Sequence, residues 1–466
     1  MRKQTFRKVI LFLICVTILG GTVSCGNAKA EAESNHLLIY SDSGTKRMAK
    51  KLVDIFGVYN KETTIEIVDL SNLSEQEYTT KLSAELVSGN GPDLILMDER
   101  FLHTRDVYKM MQAGAFLDLE PYFEREQFNW DLYPKAVMDA GVWKEKRLVV
   151  PLGYNLPFML SGEKMLADSS FTEQSMSNGL DFMRAMAKNN MEWRAGKAVP
   201  TFGGVDQFQY YFEMMGVRPF DYEKKKLDLD DPRLKEAAEL YKECYAEIHR
   251  DPPALKDTEG RWYENKFQER VFEGYFYENS LLQVTFDMGQ VQTFDEPAFF
   301  SFRNMDGKTE ARIKFALSVN QNTKNPEAAF QMVKLALDNY QTNVTEEDSL
   351  PVKKGIAYYQ NIYPLRFVQS VKLAYGVTSG TYDIGAVYTD QTGERIELYS
   401  GDVCQNISEE LANYTQSVVE NPESAYFPTP STNQLFLMMQ PYFEGKESYE
   451  KCLSEFQKKY NIYMSE

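Results

Sequence analysis

The sequence predicts an α/β protein of two lobes, with an open and largely parallel sheet covered by helices. Three observations carry this. An early stretch reads strand-helix-strand-helix-strand, the order of a parallel sheet. Setting aside an apolar leader, residues 1–24 of 466, leaves 442 residues, too many for one core and suited to two lobes. No internal repeat or low-complexity stretch follows residue 35.

The leader comes first. Arg2, Lys3, Arg7 and Lys8 precede an uncharged apolar run from Val9 to Leu19, and Gly20 to Ser24 are mostly small. This is the layout of a secretory signal, and the run is shorter than the ~20 residues a bilayer requires. Thr22-Val23-Ser24-Cys25 resembles a lipoprotein signal-peptidase box. That resemblance implies lipid on the sulfur and amine of Cys25, and two or more acyl chains hold a protein stably at a membrane. The expected divisions are a signal peptide at 1–24 and a lipid-anchored flexible tether at 25–35, the latter small and polar (GNAKAEAESN from residue 26).

Leu37-Leu38-Ile39-Tyr40 opens the fold as a short apolar strand, and Ser41-Asp42-Ser43-Gly44 turns into a helix. That helix buries Met48, Leu52, Ile55, Phe56 and Tyr59, a period of 3.6. Thr64 to Val68 alternates as a strand. Ser74 and Glu77 form a capping box before a helix with Tyr78, Leu82 and Leu86 on one face, stopped by Gly89-Asn90-Gly91-Pro92. Asp93 to Asp98 is a buried strand. Further on, Asp231-Pro232 opens a helix bearing Leu234, Ala237, Tyr241, Cys244 and Ile248, and Arg312 to Leu317 reads as a strand. Asn325-Pro326-Glu327 starts a helix burying Ala329, Val333, Ala336, Leu337 and Tyr340, and a last helix runs from Ser448 to about Tyr460.

Composition narrows the function. The formal charge is −17, or −21 without the four basic leader residues, which argues against nucleic-acid binding. Cys244, Cys404 and Cys452 remain after the leader and Cys25; at most one disulfide is possible and none is expected. There is no C-x-x-C, and His36, His103 and His249 stand isolated, so no metal site or cofactor is expected and the histidines read as surface or capping residues. No Gly-x-Ser-x-Gly elbow and no His-Glu-x-x-His occurs.

Four segments together resemble the family 1 extracellular solute-binding proteins, the maltose-binding type. They are Glu77 to Ile95 with its Gly89-Asn90-Gly91-Pro92-Asp93 turn, Ala113 to Tyr122, Val150-Pro151-Leu152-Gly153-Tyr154-Asn155, and Asn325 to Phe330. The resemblance implies a periplasmic-binding-protein-like fold of type II, each lobe a mostly parallel sheet flanked by helices, joined by hinge segments. It implies an N-terminal lobe from 36–150 and 296–345, and a C-terminal lobe from 151–295 and 346–466. It implies a monomer at the outer face of the cell membrane that is not an enzyme. It would trap a small solute, an oligosaccharide, and deliver it to the transmembrane subunits of an ABC permease. A secreted glycan-active enzyme and a subunit presenting ligand to a membrane sensor are the alternatives.

Ligands of such sheets bind beyond the carboxyl ends of the strands. That nominates Tyr40, Ser41 and Asp42, and separately Asp98, Glu99 and Arg100, with capping or surface pairing as the competing role. Tyr154 and Asn155 lie at the crossover that the resemblance marks. Sugars need aromatic platforms and planar polar groups. Phe202, Asp206, Gln209 and Tyr210 beside Gly203-Gly204 form one such cluster, and Trp262 and Tyr263 another. Trp193, Tyr211 and Tyr382 are further loop aromatics, each competing with a role in packing.

Overall fold

The computed structural model describes residues 36–42, 44–202, 208–249, 270–276, 287–288, 291, 295–339, 349–355, 385–389, 395–399 and 409–465. Cys25, the leader, the tether, Asp206, Trp262, Tyr263, Tyr340, Tyr382 and Cys404 lie outside them.

Ten strands build two sheets: β1 (His36–Ser41), β2 (Thr64–Asp69), β3 (Leu94–Met97), β4 (Val150–Asn155), β5 (Pro157–Gly162), β6 (Glu273–Phe276), β7 (Pro297–Ser301), β8 (Glu310–Val319), β9 (Leu350–Pro351) and β10 (Ser424–Tyr426). The first sheet has the order β9-β4-β8-β3-β1-β2, with β10 alongside the start of β8. The second has the order β6-β5-β7.

Strand sense differs between the sheets. β2, β1 and β3 are parallel, as their alternation with helices requires. β8 runs against β3 and β4, and β9 against β4. The described second sheet is antiparallel throughout, a correction to the expectation of a mostly parallel sheet in each lobe. Its strands come from distant parts of the chain: the helices Gly179–Arg194 and Arg233–Ile248 lie between β5 and β6, and the chain returns to run against β5 on both sides.

Two cores result, and the first also takes Phe158, Leu160, Tyr275 and Phe299 from the second sheet. Around the first lie Leu37, Ile39, Leu52, Leu82, Leu96, Val150, Leu317 and Val333; around the second lie Phe182, Phe202, Phe208, Tyr211, Tyr241, Phe272, Phe436 and Phe456. The chain passes from the first sheet to the second at Leu156, between β4 and β5, and back through residues 302–309, between β7 and β8. Among the described residues it leaves the first sheet again after β10, through 427–433 to the helix Gln434–Met438. β4 stays paired with β8 as far as Asn155, and β7 pairs with β5 from Pro297 to Ser301. The last segment divides too: β9 and β10 join the first sheet, while the helix Tyr449–Ser465 packs on the second core.

Local signals read from the sequence recur. In the Ser74 capping box the Glu77 amide donates to Ser74 Oγ at 3.3 Å, and the Ser74 amide to Glu77 Oε2 at 2.9 Å. Gly89 takes φ +74°, a left-handed value that glycine tolerates best. Asp93, closing that turn, accepts the Leu38 amide at 2.7 Å and the Thr323 hydroxyl at 2.5 Å, so it ties β3 to β1 and to the loop after β8. Met48, Leu52 and Phe56 are buried as expected, whereas Tyr59, in the last turn of the helix Lys46–Tyr59, is 71 % exposed. Cys244 and Cys452 are free thiols, both buried.

Candidate functional site

The parallel strands β1 and β3 end at adjacent loops, and each loop carries a carboxylate fixed by backbone amides. Asp42 Oδ1 accepts from the Gly44 amide at 3.0 Å, the Thr45 amide at 2.9 Å and the Thr45 hydroxyl at 3.0 Å. Asp98 caps the helix Glu99–Thr104, accepting the Phe101 amide at 2.8 Å. Arg100 lies over both acids, 3.5 Å from Asp42 and 3.4 Å from Asp98. Gly44 permits this approach, because a Cβ there would sit 1.7 Å from Asp98 Oδ2. Burial, and then the charge of Asp42, push the Asp98 carboxyl above its ordinary range, against the pull of Arg100.

Glu99 turns the other way, toward β8. It pairs with Arg312, lies 3.6 Å from His103 and 3.9 Å from Lys314. Burial raises its pKa, but the His103 hydrogen bond and the charges of Arg312 and Lys314 outweigh it and hold the group down at about 2. Arg312 is 3 % exposed, and neighbouring Glu213, Tyr426 and Glu99 keep it charged against the cost of burial. From the second lobe, the Tyr210 ring covers this guanidinium at 4.6 Å.

A cavity of about 670 Å³ opens beyond these strand ends, and both lobes wall it. Tyr210 borders it from the second lobe; the first contributes three carboxylates (Glu75, Asp98, Glu99) and three cations (Arg47, Arg100, Lys314), besides His103. Formally, the three carboxylates and the three cations sum to zero. Among the described residues no group of three or more His, Cys, Asp or Glu side chains is placed to hold a metal ion. No described helix is long and apolar enough to cross a membrane.

The site thus brings together Asp98, Glu99, Arg100 and Tyr210, with Asp42 behind Arg100. Asn155 ends β4 in register with Arg312 and is buried beside it. Ser41 is fully buried at the end of β1. Other candidates point elsewhere. Tyr40 donates to Glu85 at 2.8 Å, on the helix side of the sheet. Tyr154 donates to the Val419 carbonyl at 2.5 Å inside the first core. Phe202 packs on Phe182, Phe208, Phe272 and Phe276 in the second core, and Tyr211 donates to the Ala237 carbonyl. Gln209 is exposed, its carbonyl accepting from Asn433 at 3.0 Å, and Trp193 belongs to the helix Gly179–Arg194.

Sequence reasoning missed Arg312, Lys314, Glu213 and the place of His103. One signal was available. Arg312 and Lys314 stand two apart with apolar Ala311, Ile313 and Phe315 as their neighbours, so both cations face the same way.

The profile of the family described as bacterial extracellular solute-binding protein matches residues 39–342. No curated protein sequence matches the chain. Among solved structures, the sugar-binding protein MalE from Xanthomonas citri is similar at TM-score 0.57 and 11 % identity, over 92 % of this chain and 97 % of that one. An extracellular solute-binding protein of family 1 from Alicyclobacillus acidocaldarius reaches 0.52 at 16 % identity, over 92 % and 98 %. The cyclic alpha-maltosyl-1,6-maltose binding protein from Arthrobacter globiformis reaches 0.50 at 14 %, again over 92 % and 98 %. At such identities the likeness is one of fold, two lobes with sheets flanked by helices. The family match over most of the chain, on lobes that meet at the ends of parallel strands, means that this protein belongs to the bacterial extracellular solute-binding proteins, a family that binds its ligands and does not transform them.

Proposed function

We propose that the protein captures a neutral, hydroxyl-rich solute, an oligosaccharide, between its lobes and delivers it to the transmembrane subunits of an ABC permease. The observation that carries the ligand class is the cavity lining, with equal numbers of carboxylates and cations, among which Arg100 lies against Asp98 and Lys314 against Glu99. A charged ligand would leave one partner unmatched, whereas sugar hydroxyls can donate to the carboxylates and accept from the guanidinium. Tyr210 offers the ring against which a sugar face can lie. Two of the similar proteins, MalE and the cyclic alpha-maltosyl-1,6-maltose binding protein, are sugar-binding and point the same way.

In this reading Asp42, Asp98, Glu99, Arg100, Asn155 and Tyr210 form the described part of the ligand site, while Tyr40, Ser41, Tyr154 and Phe202 support it. Asp206, Gln209, Trp262 and Tyr263 are proposed to complete the second-lobe wall. Residues 1–24 would be removed and Cys25 lipidated, leaving 25–35 as a tether at the outer face of the membrane.

A thermal-shift screen over oligosaccharides, polyols, peptides and amines, with product analysis of every hit, tests the ligand class. A sugar at 100 times its dissociation constant adds about 2.7 kcal/mol of stability and is recovered unchanged. Stabilisation by peptides or amines alone removes the carbohydrate assignment, and turnover of a glycan removes the binding role.

A further inference from the structure

Two charge pairs at the joint of the lobes are arranged crosswise. Glu213, on the second-lobe helix Tyr211–Met214, is 1 % exposed and lies 3.3 Å from Nε of Arg312 on β8 of the first sheet. Five residues further on, Arg218 pairs with Glu310, also on β8. So an acid of the second lobe meets a base of the first, and a base of the second meets an acid of the first. Tyr426 of β10 stands between the pairs. Its hydroxyl donates to Glu213 at 2.7 Å, and its ring lies 3.5 Å from the Arg218 guanidinium. Arg218 also donates to the carbonyls of Glu213 at 3.2 Å and Val217 at 3.0 Å.

Two features separate this cluster from the contacts in the cleft. The first is burial. Arg100 is half-exposed and 3.4–3.5 Å from its acids, so it can exchange them for water or ligand at small cost. Glu213 and Arg312 are dry, and parting them would leave buried charge unpaired. The second is position. Glu310 and Arg312 follow the passage through 302–309 directly, and Tyr426 precedes the passage through 427–433. Points beside the connecting segments move least when two lobes rotate about them.

We propose that the crossed pairs Glu213–Arg312 and Arg218–Glu310, with Tyr426 between them, are the pivot of the lobes. They stay engaged whether the cleft is open or shut and confine the motion to one axis. Tyr210, three residues before Glu213 and lying over Arg312, links this fixed point to the cleft wall. The proposal rests on the reading of the lobes as a closing pair.

The test is pulsed dipolar spectroscopy on the full ligand-free chain. Val87, 90 % exposed on the first lobe, and Met191, 60 % exposed on the second, are replaced by a ketone-bearing residue that takes a nitroxide without touching the native cysteines. The Glu213→Gln/Glu310→Gln variant is expected to widen the interlobe distance distribution about twofold, as loss of both acid partners frees the joint. Glu310→Asp, which keeps the charge, is expected to retain most of the native width. An unchanged width in the folded double variant overturns the proposal, and so does a longer mean at unchanged width, the mark of a latch. Should circular dichroism show the double variant unfolded, Arg218→Gln decides: a partial widening supports the pivot, and native width overturns it. No sugar enters this readout, so a failed ligand screen leaves it intact.

Discussion

The two lobes reach the cleft by different means. The first presents its charges on short loops at strand ends, where backbone amides fix each carboxylate: Asp42 from Gly44 and Thr45, Asp98 from Phe101. The described part of the second lobe presents Tyr210, at the head of a buried turn held by an aromatic core that includes Phe182, Phe202, Phe208 and Phe272. Local hydrogen bonding builds one wall and long-range packing the other. The first wall should therefore be sensitive to changes of charge and backbone, the second to loss of volume.

The largest expected effect is in the second lobe. Phe182 is 2 % exposed, with Phe171, Phe202, Phe272 and Phe302 around it at ring distances of 5.0–6.1 Å. Phe182→Ala should lower unfolding stability in urea by about 3–5 kcal/mol through cavity formation. A loss near zero would mean that the turn does not depend on that core.

Acid should act on the first lobe next. Glu99, ordinarily at 4.5, is held at about 2 in the folded chain. A depressed carboxylate contributes stability that is present above the unfolded value and lost as pH falls through the folded one. Stability should thus decline between pH 4.5 and about 2, by at most about 3 kcal/mol from this group. The check is denaturation at stepped pH. Glu99→Gln should flatten the decline over that window, and an equal slope in both proteins would contradict the assignment.

Gly44→Ala comes third. The added Cβ meets Asp98 at 1.7 Å, so one loop must shift, at a cost of about 1–3 kcal/mol. Because the loop carries Asp42 and borders Asp98, calorimetric affinity for any bound sugar should fall with it. Full affinity would place the ligand elsewhere. The smallest effect is Ser74→Ala, which removes one cap at a helix start and should cost about 1 kcal/mol in thermal unfolding. A much larger loss would mean that the capping box anchors more than its own helix.

The same contrast explains what could be read from the sequence. The β-α-β-α-β order, the Ser74 box and the Gly89 turn are set by neighbours in the chain, so they were visible there. Asp98, Glu99 and Arg100 were found because a strand end locates a residue along the sheet. It does not say which face the side chain takes. Tyr40, expected at the site, instead donates to Glu85 on the helix side of the sheet. Phe202 looked like a loop aromatic beside two glycines and is a core residue, because its partners Phe182, Phe272 and Phe276 are remote in sequence. Glu213 and Arg312, about one hundred residues apart, meet only through the passages between lobes. No local pattern marks such a pair.

Small-angle scattering before and after saturation with the sugar that stabilises the protein most in the screen tests the central claim most directly. If the lobes shut on a ligand held at the ends of β1 and β3, the radius of gyration falls on binding, and Arg100→Ala weakens both the affinity and the contraction. A sugar that binds at full affinity to Arg100→Ala, or leaves the radius of the native protein unchanged, would contradict it.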